Sequence, residues 1–296
     1  MRGLARLAEA AAVIWLAVTL AFFALQVLPG DAALESLSVA GVSPAIIEAR
    51  RSQLGLGAAP LEQYLRYMAG LASGSLGVSL LDGRPVAETL GQPALATFGL
   101  TFAAGLITLA AGVPLGIWAA RHGWGGLPGR AVLGLLVSVP ILWTGTLVLA
   151  TFGFSASGQS DLLLPALVLG LSGAGALGLV TERALAETQA QPFIRTARAK
   201  GLPERLIMER HVLRASASPI LTVFVLQIGF LLSGALLTEA LFNRPGIGRL
   251  LVQAALRQDY PVVLGVVVWS AICYSGLLLI GDVLARWLDP RMGRAD

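Results

Sequence analysis

The sequence predicts an all-α, polytopic membrane protein with six spanning helices. Three observations carry that reading. The 296-residue chain is 56% hydrophobic, with a mean hydropathy of +0.77. Only 13% of its residues are charged. Uncharged runs recur at 10–28, 94–120, 131–160, 162–181, 215–238 and 261–281, and a spanning helix needs about 20 predominantly apolar residues.

The first run follows Arg2 and Arg6, as the apolar part of a signal peptide would. At 19 residues it exceeds the roughly 7–15 of such a segment, so it is read as a retained first helix. The stretch 29–93 is expected to be ordered. In "SPAIIEARRSQL", Ser43 stands as an N-cap with Pro44 at the first helical position. "LEQYLRYMAGLAS" places Leu61, Leu65 and Met68 on one stripe, for packing on the embedded core or for an external partner. The expected division is therefore 1–93, the first helix with an extracytoplasmic segment, and 94–296, a five-helix core with a cytoplasmic loop at 182–214.

The second run carries Gly112 and Gly116, and the fourth carries "GLSGAGALG" at 170–178; small residues of this kind let helices approach closely. The third run is too long for one span, so its end "GFSASGQS" is read as an exit loop. Pro114, Pro140, Pro165 and Pro219 can each kink or start a span. The single Cys273 lies inside the sixth run, which excludes a disulfide framework and suits a small packing residue.

Six spans put both termini on one side. The face holding 1–9, 121–130, 182–214 and 282–296 has 14 Arg/Lys in 67 residues, against 7 in 88 on the other. The richer face is assigned to the cytoplasm. Twenty of the 21 basic residues are Arg, a compositional skew without the basic–aromatic interleaving of nucleic-acid binders.

One block stands out. "RTARAKGLPERLIMERHVLRAS", residues 195–216, holds eight charged side chains and a histidine in 22 positions. Pro192 starts a short helix in which Phe193 and Ala197 share a face. Gly201 is placed to end it at positive φ, and Pro203 opens a second helix with Glu204 in its first turn. Leu202, Leu206 and Leu213 fall on one stripe that Glu209 interrupts, and Arg205 pairs with Glu209 at i, i+4. Two short amphipathic helices joined by a bend can lie on a membrane surface or fit a partner's groove.

That block resembles the cytoplasmic loop motif of permease subunits in ATP-binding-cassette importers, in the variant of the dipeptide/oligopeptide/nickel permease family. Gly201 matches the motif's glycine, Ala197 its second alanine and Leu213 its leucine. Arg195, Thr196, His211 and Arg214 replace its Glu, first Ala, Ile and Pro, as in that variant. The resemblance extends through "LPGDAA" at 28–33, "GSLGVSLLDGRPVAETL" at 74–90, "VPLGIWAARH" at 113–122, "LLTEALFNRPGIGRLLVQAALRQDYPVVLGVV" at 236–267 and "LDPRMG" at 288–293. The connection after the third run is shorter than is usual among such permeases.

The resemblance implies a type I importer-like permease of the bacterial inner membrane. Its implied partners are a second homologous permease, two ATP-binding subunits and an extracytoplasmic substrate-binding protein. Arg195, Thr196, Ala197, Arg198, Ala199, Lys200, Gly201, Leu202, Glu204 and Arg205 are the expected ATPase-coupling residues. The chain holds no Walker A loop, since its one lysine, Lys200, sits in "RAKGL"; no catalytic residue and no cofactor is expected. Glu239, Asn243 and Arg244 are candidates for the outer entrance. Asp282 and Arg286, at i, i+4, are candidates for an inner gate or a solvated helix end.

A peptide is the first expectation for substrate. A nickel chelate is the alternative, because "PLGIWAARH" also resembles nickel-type members, although no outward His/Cys cluster offers a bare-metal path. Two rivals of other classes are weaker. A rhomboid-like serine protease would use Ser172 of "GLSG", but no histidine lies in the sixth run to serve it. A gradient-driven transporter would need ionisable groups within the spans, and the first five runs hold none.

Overall fold

The computed structural model describes residues 2–27, 58–121, 126–152 and 162–288, without the side chains of 2–5, 282 and 284–288. Among the described residues the elements are helical: α1 (Arg2–Val27), α2 (Pro60–Ala72), α3 (Val86–Ala119), α4 (Leu127–Ser138), α5 (Ile141–Phe152), α6 (Leu163–Gln189), α7 (Pro192–Ala199), α8 (Glu204–Ile207), a π-helical turn (Met208–Val212), α9 (Leu213–Leu241), α10 (Ile247–Leu256) and α11 (Tyr260–Leu288). Five helices are long and apolar enough to cross a membrane. The pair α4–α5 makes a sixth if it is one broken span.

That pair corrects the third run. It is bent by 94° because Pro140 follows Val139, and the residue before a proline is pushed out of the helical region. Val139 accordingly sits at φ −87°, ψ 121°. The stretches "LPGDAA" and "SPAIIEARRSQL", His122, the loop "GFSASGQS" and most of "LDPRMG" lie outside the described residues.

The chain forms two compact units, one of Met1–Ala96 with Pro245–Gly276 and one of Thr97–Arg244 with Leu277–Asp296. In the first, α2 packs on α1 through aromatic edges. The rings of Phe22 and Phe23 meet Tyr64 at 5.5 and 5.4 Å between centroids, and the Thr19 and Tyr64 hydroxyls are 2.8 Å apart. The expected stripe is different: Leu61 and Leu65 are exposed, and no residue of α2 is fully buried. Tyr64 and Tyr67, three apart on a neighbouring face of the helix, make the contact instead.

The 74–85 loop of that unit is folded on itself by a single bridge between Val78 and Pro85 and reaches forward to Asp259. Ser79 Oγ donates to Asp259 Oδ2 at 2.5 Å, and the Leu80 N–H donates to Oδ1 at 3.1 Å. Both side chains are buried. A buried carboxylate is tolerated where donors satisfy it, and here two of them come from a loop 180 positions away.

The second unit is built around α6, whose most apolar stretch is 56% buried. Gly170, Gly173, Gly175 and Gly178 lie along its buried positions. A Cβ on Gly112 of α3 would stand 2.9 Å from the Ala174 carbonyl, and one on Gly116 would stand 2.6 Å from that of Gly178. The two backbones therefore touch, which only glycine permits. Thr108 Oγ1 donates to the Gly170 carbonyl across the same seam at 2.9 Å. Leu100, Ala104, Ala166, Leu169, Leu231 and Ala235 form the apolar centre where α3, α6 and α9 meet.

Candidate functional site

The charged block folds as the bent pair of helices that its glycine and prolines specify. α7 begins at Pro192 and ends before Gly201, which takes φ +76°. Pro203 caps α8, with Glu204 in the first turn. Arg205 Nε donates to Glu209 Oε1 at 2.9 Å, the expected i, i+4 pair. A second pair crosses the bend. Arg198 donates from Nε to Glu204 Oε1 at 2.7 Å and from Nη2 to Oε2 at 3.3 Å. These hydrogen bonds hold the protons of both guanidinium groups more tightly than usual.

The seat of the elbow is apolar. Ile194, Ala197, Ile207 and Val212 are buried with Leu185 and Ala120. Ala197 faces inward as expected, but its buried companion is Ile194, not Phe193, which is 47% exposed. Positions 194 and 197 are three apart and share a face, so the four-residue spacing to 193 was the wrong stripe. Leu202 and Leu213 are half-buried at the margin. Arg195, Thr196, Arg198, Ala199, Lys200, Gly201, Glu204 and Arg205 are all exposed, forming a polar outer face.

The elbow hangs between α6 and α9, and those helices are tied together beside it. The Thr188 and Ser216 hydroxyl oxygens are 2.7 Å apart, and each lies within reach of the Ala184 carbonyl, at 2.8 and 3.1 Å. Neither this clamp nor the π-helical turn was expected from sequence. A cavity of about 200 Å³ lies beside Gln189, Ile207, Met208 and Val212, with the Arg198–Glu204 pair at its rim.

Three further candidates, Glu239, Asn243 and Arg244, come together at the end of α9. Thr97 Oγ1 donates to Glu239 Oε2 at 3.0 Å, and Arg244 Nη1 is 3.6 Å from Oε1. Glu239 is fully buried and Arg244 is 9% exposed. The Arg244 N–H also donates to the Glu239 carbonyl at 3.0 Å, which closes the helix end, and Asn243 takes the left-handed φ of 51° that asparagine tolerates. Asp282 and Arg286 lie on the last turns of α11, with side chains outside the described residues. Ser172 sits in the middle of α6.

A glycine-seamed helical bundle carrying a bent polar loop between two spans has the architecture of an importer permease. Solved structures agree at the level of fold. The MetNI methionine ABC transporter, in inward-facing conformations, matches with a TM-score of 0.59 at 19% identity, over 67% of this chain and 94% of that one. An amino acid ABC transporter matches at 0.56 and 14%, over 66% and 92%.

The profile of the binding-protein-dependent transport system inner membrane component matches residues 112–294. Full-length relatives match as well. A Brucella abortus protein named as a peptide transport system permease is 32% identical over 98% of both chains. The glutathione transport system permease of Escherichia coli K12 is 31% identical over 92% of both. A K12 protein named as a D,D-dipeptide transport system permease is 34% identical over 92% of both. The chain belongs to the family of binding-protein-dependent transport system inner membrane components, the multi-pass permeases of ABC importers.

Proposed function

We propose that this permease carries short peptides, and that separate ATP-binding subunits drive it by gripping the elbow at 195–205. The peptide reading is supported by relatives named for peptide, glutathione and D,D-dipeptide transport, which favour it over a nickel chelate. The observation that carries the coupling reading is the division of the elbow into two faces. Ile194, Ala197, Ile207 and Val212 seat it on the bundle, while Arg195, Arg198, Lys200, Glu204 and Arg205 face solvent. A push on the polar face reaches the spans through the apolar one.

The chain makes no ATPase site of its own in this reading, for want of a phosphate-binding loop. Its partners are a second permease of the same fold, two ATP-binding subunits and an external substrate-binding protein. The elbow and both termini lie in the cytoplasm, on the side richer in Arg and Lys. Glu239, Asn243 and Arg244 serve the outer entrance by holding the end of α9, since the charges of Glu239 and Arg244 are enclosed rather than presented and Asn243 makes the left-handed turn between them. Asp282 and Arg286 flank the inner gate.

Reconstitution tests this. Permease, ATP-binding subunits and binding protein in liposomes should take up labelled dipeptide only with internal-facing ATP. Uptake without the ATP-binding subunits removes the coupling reading. ATP-driven uptake of a nickel chelate, with none of dipeptide, removes the substrate.

A further inference from the structure

We infer that the π-helical turn Met208–Val212 is the hinge on which the elbow turns, with the Thr188–Ser216 hydroxyl clamp as its fulcrum. This rests on the reading of the elbow as the element gripped by ATP-binding subunits.

The turn exists because of an apolar spacing. Ile207 and Val212 are both 1% exposed and share the elbow's core. Five residues at 3.6 per turn rotate through about 500°, leaving two side chains about 140° apart on an α-helix. A π-helical turn, whose bonds run from i to i+5, takes up one extra residue and brings them back onto one face. The Leu213 N–H accordingly donates to the Met208 carbonyl, five residues back. Single π turns are rare and concentrate at functional positions.

The same sequence also carries an α-helical alternative. Leu206 and Leu213, seven apart, lie on one face of an ordinary helix, and both are half-buried, Leu213 against this seat. Losing the extra residue would turn the elbow about 100° and shift it about 1.5 Å relative to α9, exchanging one apolar pair for the other. Close-packed interiors resist such exchanges. Here the cavity beside Ile207, Met208 and Val212 supplies the room.

The surroundings confine the movement to this turn. Immediately after it, Ser216 fixes the first turn of α9 to Ala184 and Thr188 of α6. Immediately before it, the left-handed turn at Gly201 and the apolar cluster shared by Ile194, Ala197 and Ile207 set the bend between α7 and α8. A displacement of the elbow meets a clamped helix on one side and a braced bend on the other. The π turn is the element between them whose hydrogen bonding can change register without breaking either.

Hydrogen exchange on the complete importer tests the hinge, comparing the nucleotide-free complex with one trapped by Mg-ATP on hydrolysis-deficient ATP-binding subunits. Amides 209–213 should change protection by roughly tenfold or more, while those of 214–218 stay constant behind the clamp. Deletion of Glu209, which returns the segment to α-helix, should leave the ATP-binding subunits bound and hydrolysing while uptake per ATP falls at least severalfold. Equal protection of 209–213 in the two states, or normal uptake by the deletion, overturns the hinge. If the deleted chain fails to insert, the exchange experiment on the unaltered protein decides alone. Amine-reactive crosslinking from Lys200, the chain's sole lysine, separates the two readings. Crosslinks to an ATP-binding subunit with unchanged exchange remove only the hinge, and no crosslinks at all remove the elbow's grip as well.

Discussion

Arg198 Nε donates to Glu204 Oε1 at 2.7 Å across a bend whose pivot, Gly201, sits at φ +76°. An exposed ion pair contributes at most about 1 kcal/mol, so the angle is set by the glycine and by the apolar seat beneath. A side chain at Gly201 costs about 1–2 kcal/mol of left-handed strain. Relieving that strain by opening the bend would shift the polar face of the elbow relative to its apolar seat. Gly201→Val should therefore insert at normal abundance and transport poorly, whereas Glu204→Ala should retain most of its uptake. Ala197→Phe, which overfills the seat, should behave like the glycine variant. Uptake normalised to membrane abundance checks all three.

Helix contact makes a second distinction. A Cβ on Gly116 would stand 2.6 Å from both the Gly178 carbonyl oxygen and Thr181 Cβ, while one on Gly134 would meet nothing within 4 Å. Gly116→Ala must separate two backbones and should lower stability by about 1–3 kcal/mol. Gly134→Ala should be neutral or stabilising by about 0.5–1 kcal/mol, the usual gain for alanine in a helix. Thermal denaturation in detergent reads both, and equal midpoints would contradict the seam.

The buried Glu239–Arg244 pair predicts an asymmetry. Removing one partner of a buried pair leaves an uncompensated charge, at a cost of about 3–5 kcal/mol. Arg244→Ala should therefore deplete the protein from the membrane. Glu239→Gln strands the Arg244 charge instead, but it keeps a carbonyl acceptor for Thr97 and leaves the charge on the less enclosed partner, so it should be milder. Abundance by immunoblot distinguishes the two.

Tyr64 and Tyr67 sit three residues apart and differ in one respect. The Tyr64 hydroxyl is 2.8 Å from that of Thr19. The buried Tyr67 hydroxyl has no hydrogen-bond partner among the described residues, and burial pushes its pKa up to about 12. Tyr64→Phe should cost about 1 kcal/mol, and Tyr67→Phe should be neutral or stabilising because it deletes an unsatisfied polar group. Unfolding midpoints of the two variants should move in different directions or by clearly different amounts.

Some of this was legible in the chain and some was not. Run length exposed the spans because hydrocarbon thickness fixes them, and Gly201 and Pro203 exposed the bend because backbone sterics are local. The α4–α5 bend was marked by Pro140, though not its 94° extent, which depends on how α4 and α5 each pack. The elbow's true stripe escaped because a five-residue spacing between Ile207 and Val212 is read as noise under a period of 3.6. The Thr188–Ser216 clamp escaped for another reason: a hydroxyl in a span advertises no partner until two helices are brought together.

Acid should loosen the 74–85 loop. The Asp82 carboxyl is held below its ordinary pKa of 3.8, chiefly by the hydrogen bond it accepts from the Arg84 backbone N–H. A lowered folded pKa means the fold favours the charged form. Its contribution is present above the ordinary value and is lost as pH falls through the lower, folded one. Amide protection of 79–85 should hold from neutrality to about pH 4 and decline below it. The decline should be smaller in Asp82→Asn; an identical profile in that variant would remove the assignment.

The bond between Ser79 and Asp259 also sets a timetable. Ribosomes add about 5–20 residues per second, so the 180 positions between them correspond to on the order of 10–40 s of synthesis. For that interval the 74–85 segment has been made and its latch has not. A nascent chain that stalls before the final helix therefore displays an unfastened loop that a finished copy has latched at Ser79. Quality-control proteases could recognise incomplete permeases by that loop alone, before any partner subunit arrives.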